Sequence, residues 1–165
     1  IGWVEFCTEH PRECATSPSA ARDVVLTPKS WKDLTRVNKW VNDTIKPITD
    51  LDQWGVVEKW SYPDAGKGDC EDYVLLKRRM LIERGWPEST LLITVVRDEN
   101  NEGHAVLTAR TDVGDLVLGT WQGIYLFEHR HGAQAVDFRS VAHAAREPLS
   151  PQCLRSRRDA GNRLA

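Results

Sequence analysis

Apolar residues recur at three- and four-residue spacing through Trp31, Leu34, Val37, Val41 and Ile45, which predicts an amphipathic helix over residues 28–45. Thr27 supplies its N-cap, Pro28 sits in its first turn, and Pro47 stops it. A short segment from Asp50 to Trp60 follows, then a turn-rich linker, Ser-Tyr-Pro-Asp-Ala-Gly-Lys-Gly-Asp, running into Cys70. From Cys70 the pattern is helical again. Tyr73, Val74, Met80 and Leu81 share a face, Lys77, Arg78 and Arg79 interrupt the apolar residues, and Gly85 with Pro87 marks the end. Leu91 to Val96 is a compact apolar run, read as a buried strand. From His104 to Arg110 the residues alternate, with Ala105, Leu107 and Ala109 on one side and His104, Val106 and Thr108 on the other. Asp112-Val113-Gly114-Asp115 is a hairpin turn, and Leu116 to Leu118 the return strand. Helices followed by an antiparallel sheet make an α+β domain.

The chain of 165 residues is long enough to enclose one sizeable core. Its 22 basic and 24 acidic side chains argue against a nucleic-acid partner, and no apolar run is long enough to span a bilayer. Charge is uneven, however. Residues 1–118 carry 15 basic and 20 acidic side chains, whereas residues 119–165 carry seven basic ones, all Arg, and four acidic. The expected division is therefore a domain over 1–118 and a divergent basic tail over 119–165, either an Arg-rich contact segment or a poorly ordered extension. The start at Ile-Gly-Trp fits a mature form stripped of a targeting segment, or a fragment.

Four cysteines differ in setting. Cys7 and Cys14 flank a short loop-like stretch holding Pro11; they read as a disulfide, as two free thiols, or with His10 as part of a metal site. Cys70 instead opens a helix, with Asp69 placed to cap it. Unpaired N–H groups and the positive end of the helix dipole there favour a thiolate and a developing oxyanion. Gly66 and Gly68 before it, with Asp69, Glu71 and Asp72 around it, are polar surroundings rather than those of a small core residue. Three carboxylates oppose ionisation of the thiol, a conflict that a bound cation resolves. His104, opening a strand after a Gly-containing turn, is the best placed of the five histidines to act as base. Trp54 and Trp60, in loop-rich sequence before the Cys70 helix, read either as a partner surface or as partly buried anchors.

These residues carry a resemblance. Gly-Asp-Cys-Glu-Asp-Tyr at 68–73, Arg-Gly-Trp-Pro at 84–87 and Gly-His-Ala-Val-Leu-Thr at 103–108 are similar to the bacterial transglutaminase-like cysteine proteinases, which include the LapG-type periplasmic proteases. The likeness runs from about Trp31 to Leu118, with supporting pieces at Phe6-Cys7 and Thr49-Asp50-Leu51. It implies a papain/transglutaminase-like fold, Cys70 as nucleophile and His104 as base. It also implies calcium beside the nucleophile, held by Asp69 and Glu71 with Asp72 as a helper. By the same resemblance the protein is periplasmic or secreted, cuts a surface adhesin, and is controlled by an inner-membrane receptor for cyclic di-GMP.

The return strand departs from the family, where a motif like Val-Leu-Asp-Asn supplies the Asp that orients the histidine. Here Leu116-Val117-Leu118 is followed by Gly119-Thr120, and Gly119 stands at the carboxylate's position. The resemblance ends at 118, where the Arg-rich tail begins, as divergence or a change of reading frame would leave it. Three functions follow: a calcium-dependent cysteine endopeptidase, a catalytically impaired binding protein of the same fold, or acyl transfer to an amine.

Overall fold

The computed structural model describes residues 2–15, 23–97, 103–119 and 123–127. Helix α2 (Pro28–Thr44) follows a reciprocal capping box: the Thr27 hydroxyl accepts from the Ser30 N–H at 3.1 Å, and the Ser30 hydroxyl from the Thr27 N–H at 2.7 Å. Its stripe of Leu34, Val37 and Val41, continued by Ile45 just beyond, is buried. Helix α4 (Cys70–Ile82) meets that stripe through Tyr73, Val74 and Leu81. Burying each such side chain stabilises the fold by about 1.5–3 kcal/mol.

The main sheet is antiparallel in the order β3 (Leu91–Arg97), β4 (Gly103–Thr111), β5 (Gly114–Leu118), β6 (Ile124–Phe127). Asp112 and Val113 turn between β4 and β5, and Gly114 takes φ 131°, a conformation that L side chains rarely adopt. Ala105, Leu107 and Ala109 of β4, with Leu116 and Leu118 of β5, join the α2–α4 core. The other row of β4, His104, Val106 and Thr108, is buried as well.

Two elements depart from the sequence reading. The stretch taken as loop-like begins in helix α1 (Gly2–Glu9), too short to show a period, which anchors through Phe6 to Trp60 and Leu75. The sheet also runs beyond the expected boundary at 118, because β6 pairs along β5 from Leu118↔Ile124 to Asp115↔Phe127. The Arg-rich segment after Phe127, with Cys153, His129, His131 and His143, lies outside the described residues. No described helix is long and apolar enough to cross a membrane.

Candidate active site

A two-residue parallel pairing builds the site. β1 (Lys46–Pro47) lies against β2 (Lys67–Gly68), held by the Lys46 N–H to the Gly66 carbonyl (2.9 Å) and the Ile48 N–H to the Gly68 carbonyl (3.0 Å). Each strand leads almost at once into a helix, α3 (Asp50–Trp54) and α4. Thr49 caps α3, its hydroxyl accepting the Asp52 N–H at 3.1 Å. Paired strands thus deliver paired helix starts, and the Asp50, Asp69 and Glu71 carboxylates converge with ligand oxygens within 4.8 Å of one another. All three are buried. Such a group is costly without a counter-charge and offers the oxygen donors a hard divalent cation takes. The residues present therefore fit calcium.

Asp69 holds the N-cap position of α4, yet its side chain makes no capping bond; it belongs to the carboxylate group instead. Packing at this corner is tight: a Cβ on Gly68 would stand 2.5 Å from Asp72 Oδ2 and 2.7 Å from Asp72 Cβ, so a glycine is required. Cys70 follows in the first turn, 5% exposed, its thiol donating to Glu71 Oε2 at 3.1 Å. Asp72, the expected helper, turns elsewhere. Its Oδ1 accepts the Ser61 N–H at 2.8 Å. Burial pushes its carboxyl up to about 8; Glu71 and Asp50 add to the rise, and the Ser61 N–H opposes it. The oxygen group is completed by Asp50, a residue to which the sequence assigned no ligand role.

His104 is the second residue of β4 and 9% exposed, and its buried Nε2 has no hydrogen-bond partner among the described residues. Helix α4 packs on β4, and Arg78 Nε donates to the Leu91 carbonyl at 3.3 Å, tying the C-terminal half of α4 to the start of β3. Since β3 and β4 are antiparallel, the beginnings of α4 and β4 fall at the same end of the helix–sheet pair. Cys70 and His104 occupy that end.

Lys77 sits two turns after Cys70 and is wholly buried, its Nζ donating to the Gly119 carbonyl at 2.8 Å. Burial pulls its ammonium down to about 7. An unfolded lysine titrates near pH 10.4. Between those values the unfolded chain holds a proton that the folded chain lacks, so stability rises with pH by about 1.4 kcal/mol per unit. Below about 7 both states are protonated and that slope vanishes. Lys77→Met is expected to remove it, as read from denaturant midpoints at pH 7, 8 and 9.

The two tryptophans separate. Trp54 is exposed, with Lys59 Nζ 4.4 Å from its ring centroid, beside exposed Val56 and Val57. Trp60 is buried at 8% exposure and is a core anchor rather than a surface residue: its Nε1 donates to Glu58 at 2.9 Å, and Trp3 meets it edge-on. Cys7 and Cys14 form a disulfide, which leaves neither sulfur for a metal; His10 packs on Phe6 and Tyr62. Cys70 lies outside that disulfide.

No curated protein matches the sequence. The fold is similar to calcium-bound LapG of Legionella pneumophila, with a TM-score of 0.52 and 25% identity over 62% of this chain and 60% of that one. A second structure of Legionella pneumophila LapG aligns with a TM-score of 0.48 and 26% identity over 56% of this chain and 55% of that one. The chain thus spans between 55% and 60% of the length of these two LapG chains. Residues 1–129 match the family described as bacterial transglutaminase-like cysteine proteinase, BTLCP. That span includes β6 and extends past the point where the motifs ended. The chain belongs to the bacterial transglutaminase-like cysteine proteinases.

Proposed function

We propose that the protein is a calcium-dependent endopeptidase in which Cys70 is the nucleophile and His104 the base. The observation that carries this reading is a thiol outside the disulfide in the first turn of α4, beside a buried group of three carboxylates and at the same end of the fold as a buried imidazole. His104 takes the thiol proton, and the sulfur attacks the peptide carbonyl carbon. The Cys70 N–H, at the helix start, meets the developing oxyanion. The C–N bond breaks with proton return to the leaving amine, and water hydrolyses the acyl-enzyme. Asp50, Asp69 and Glu71 would hold calcium, whose charge offsets theirs beside the nucleophile.

The calcium-bound state of the LapG structure supports the cation. In the same reading the protein works in the periplasm or outside the cell and cuts a surface protein of the adhesin type. An inner-membrane receptor for cyclic di-GMP restrains it, with exposed Trp54 as part of the contact. Calcium at a hundred times its dissociation constant is expected to stabilise the fold by about 2.7 kcal/mol, which raises the melting temperature by roughly 5–11 °C for a domain of this size. EGTA reverses the rise and Asp50→Asn abolishes the response; an unmoved melting curve removes the cation from the reading. Mass analysis of products from a peptide incubated with an added amine separates hydrolysis from acyl transfer.

A second reading is a binding protein of the same fold with impaired turnover. The specific observation behind it is His104 Nε2, buried without a hydrogen-bond partner among the described residues, in a chain with Gly119 where the orienting carboxylate was expected. A fast-reacting Cys70 thiol at neutral pH supports the enzyme, whereas ordinary thiol reactivity supports the binder.

A further inference from the structure

Gly119 is where three elements meet. Lys77 of α4 donates to its carbonyl at 2.8 Å, Asn42 Nδ2 of α2 approaches the same oxygen at 3.5 Å, and its own N–H donates to the Gly123 carbonyl at 3.3 Å. It directly follows Leu118, which pairs with Leu107 of the His104 strand. Lys77, seven residues after Cys70, lies on the same face of α4 as the nucleophile. An ammonium this deep carries a desolvation cost that a methionine of similar shape would avoid. Its Nζ also lies 5.9 Å from the Tyr73 ring centroid. Packing alone therefore does not account for a lysine here, whereas a long arm carrying a donor does.

We propose that Lys77 is a positioning residue: by holding the Gly119 carbonyl it locks the end of β5 to the Cys70 helix and fixes the spacing between thiol and imidazole. The inference rests on Cys70 and His104 working as a pair, and it goes beyond that reading by naming what sets their separation. The clamp uses the Gly119 backbone, so it operates without a side chain there. It couples the sheet edge to α4 whether or not the orienting carboxylate is present.

The test uses the full chain carrying Cys153→Ser, so that Cys70 is the one thiol outside the disulfide, and reads its alkylation rate by iodoacetamide at pH 7 in calcium. Lys77→Met is expected to melt within a few degrees of the parent yet to alkylate about tenfold more slowly, the loss of thiolate that a rise of about one unit in the thiol pKa brings. Lys77→Gln, which keeps a donor on a shorter arm, recovers part of that rate and serves as the deciding variant if Lys77→Met does not fold. His104→Ala runs in parallel. If His104→Ala slows the thiol while both folded Lys77 variants react at the parent rate, the positioning role is overturned and the Cys–His pair stands. If His104→Ala leaves the rate unchanged, the pair itself falls and the role of Lys77 falls with it.

Discussion

Cys70→Ala is expected to lower peptide hydrolysis by about two orders of magnitude, what is left of the roughly 10⁶-fold contribution of a complete triad once the roughly 10⁴-fold share of its orienting carboxylate is already missing. The sulfur forms the acyl-enzyme, and no neighbouring group replaces it: Glu71 and Asp69 are committed to the carboxylate group, and Asp72 is held by Ser61. The side chain is small, so the folded state should tolerate the change. Its loss leaves a cavity of one sulfur atom at the helix start, and the melting temperature with calcium should stay close to that of the parent. Cleavage of a quenched fluorescent peptide, followed with matched folded protein, gives the comparison. Retained cleavage in Cys70→Ala would place the chemistry elsewhere. His104→Ala should fall nearly as far, because residues that act as a unit are not additive.

The frame of this site was legible in the residues because long elements announce themselves. α2 and α4 each run for three turns or more, α2 behind a cap that local chemistry specifies, and the β4–β5 hairpin turns at Gly114. Cys70 and His104 could be singled out since both open such elements. Asp50 could not. It reaches Asp69 and Glu71 through a parallel contact of two residues per strand, below the length at which alternation becomes visible. Lys77 was hidden differently: in Lys77-Arg78-Arg79 it reads as solvated charge, and its burial depends on the carbonyl that β5 presents to it. Trp60 shows the same limit. Its loop-rich surroundings suggest exposure, but α1, itself too short to have a period, covers it: a Cβ on Gly2 would stand 2.5 Å from the Trp60 ring. In each case the missing information was tertiary, a contact between segments distant in sequence.

Gly119→Asp is expected to raise the rate of peptide hydrolysis by up to about 10⁴-fold, the loss seen when the orienting carboxylate of a nucleophile–histidine pair is neutralised. The register supplies the reason. Leu118 is opposite Leu107, and one step further along the same ladder brings position 119 opposite Val106. A side chain there projects on the face shared by Val106 and His104, one diagonal neighbour away, a separation that a carboxylate and an imidazole can bridge between them. His104 Nε2 is buried without a hydrogen-bond partner among the described residues, and it is the atom such a carboxylate would meet. An added carboxylate would favour the charged form of Lys77 at the Gly119 carbonyl, so it does not enter the interior unpaired. Two variants separate orientation from charge. Gly119→Asn still accepts a hydrogen bond from the imidazole and fixes its ring, but gives less support to the imidazolium; its gain should be smaller than that of Gly119→Asp. Gly119→Ala should give none. A gain in Gly119→Asp that survives His104→Ala would mean that the carboxylate acts by another route; a gain that vanishes with His104 ties both residues to the same proton.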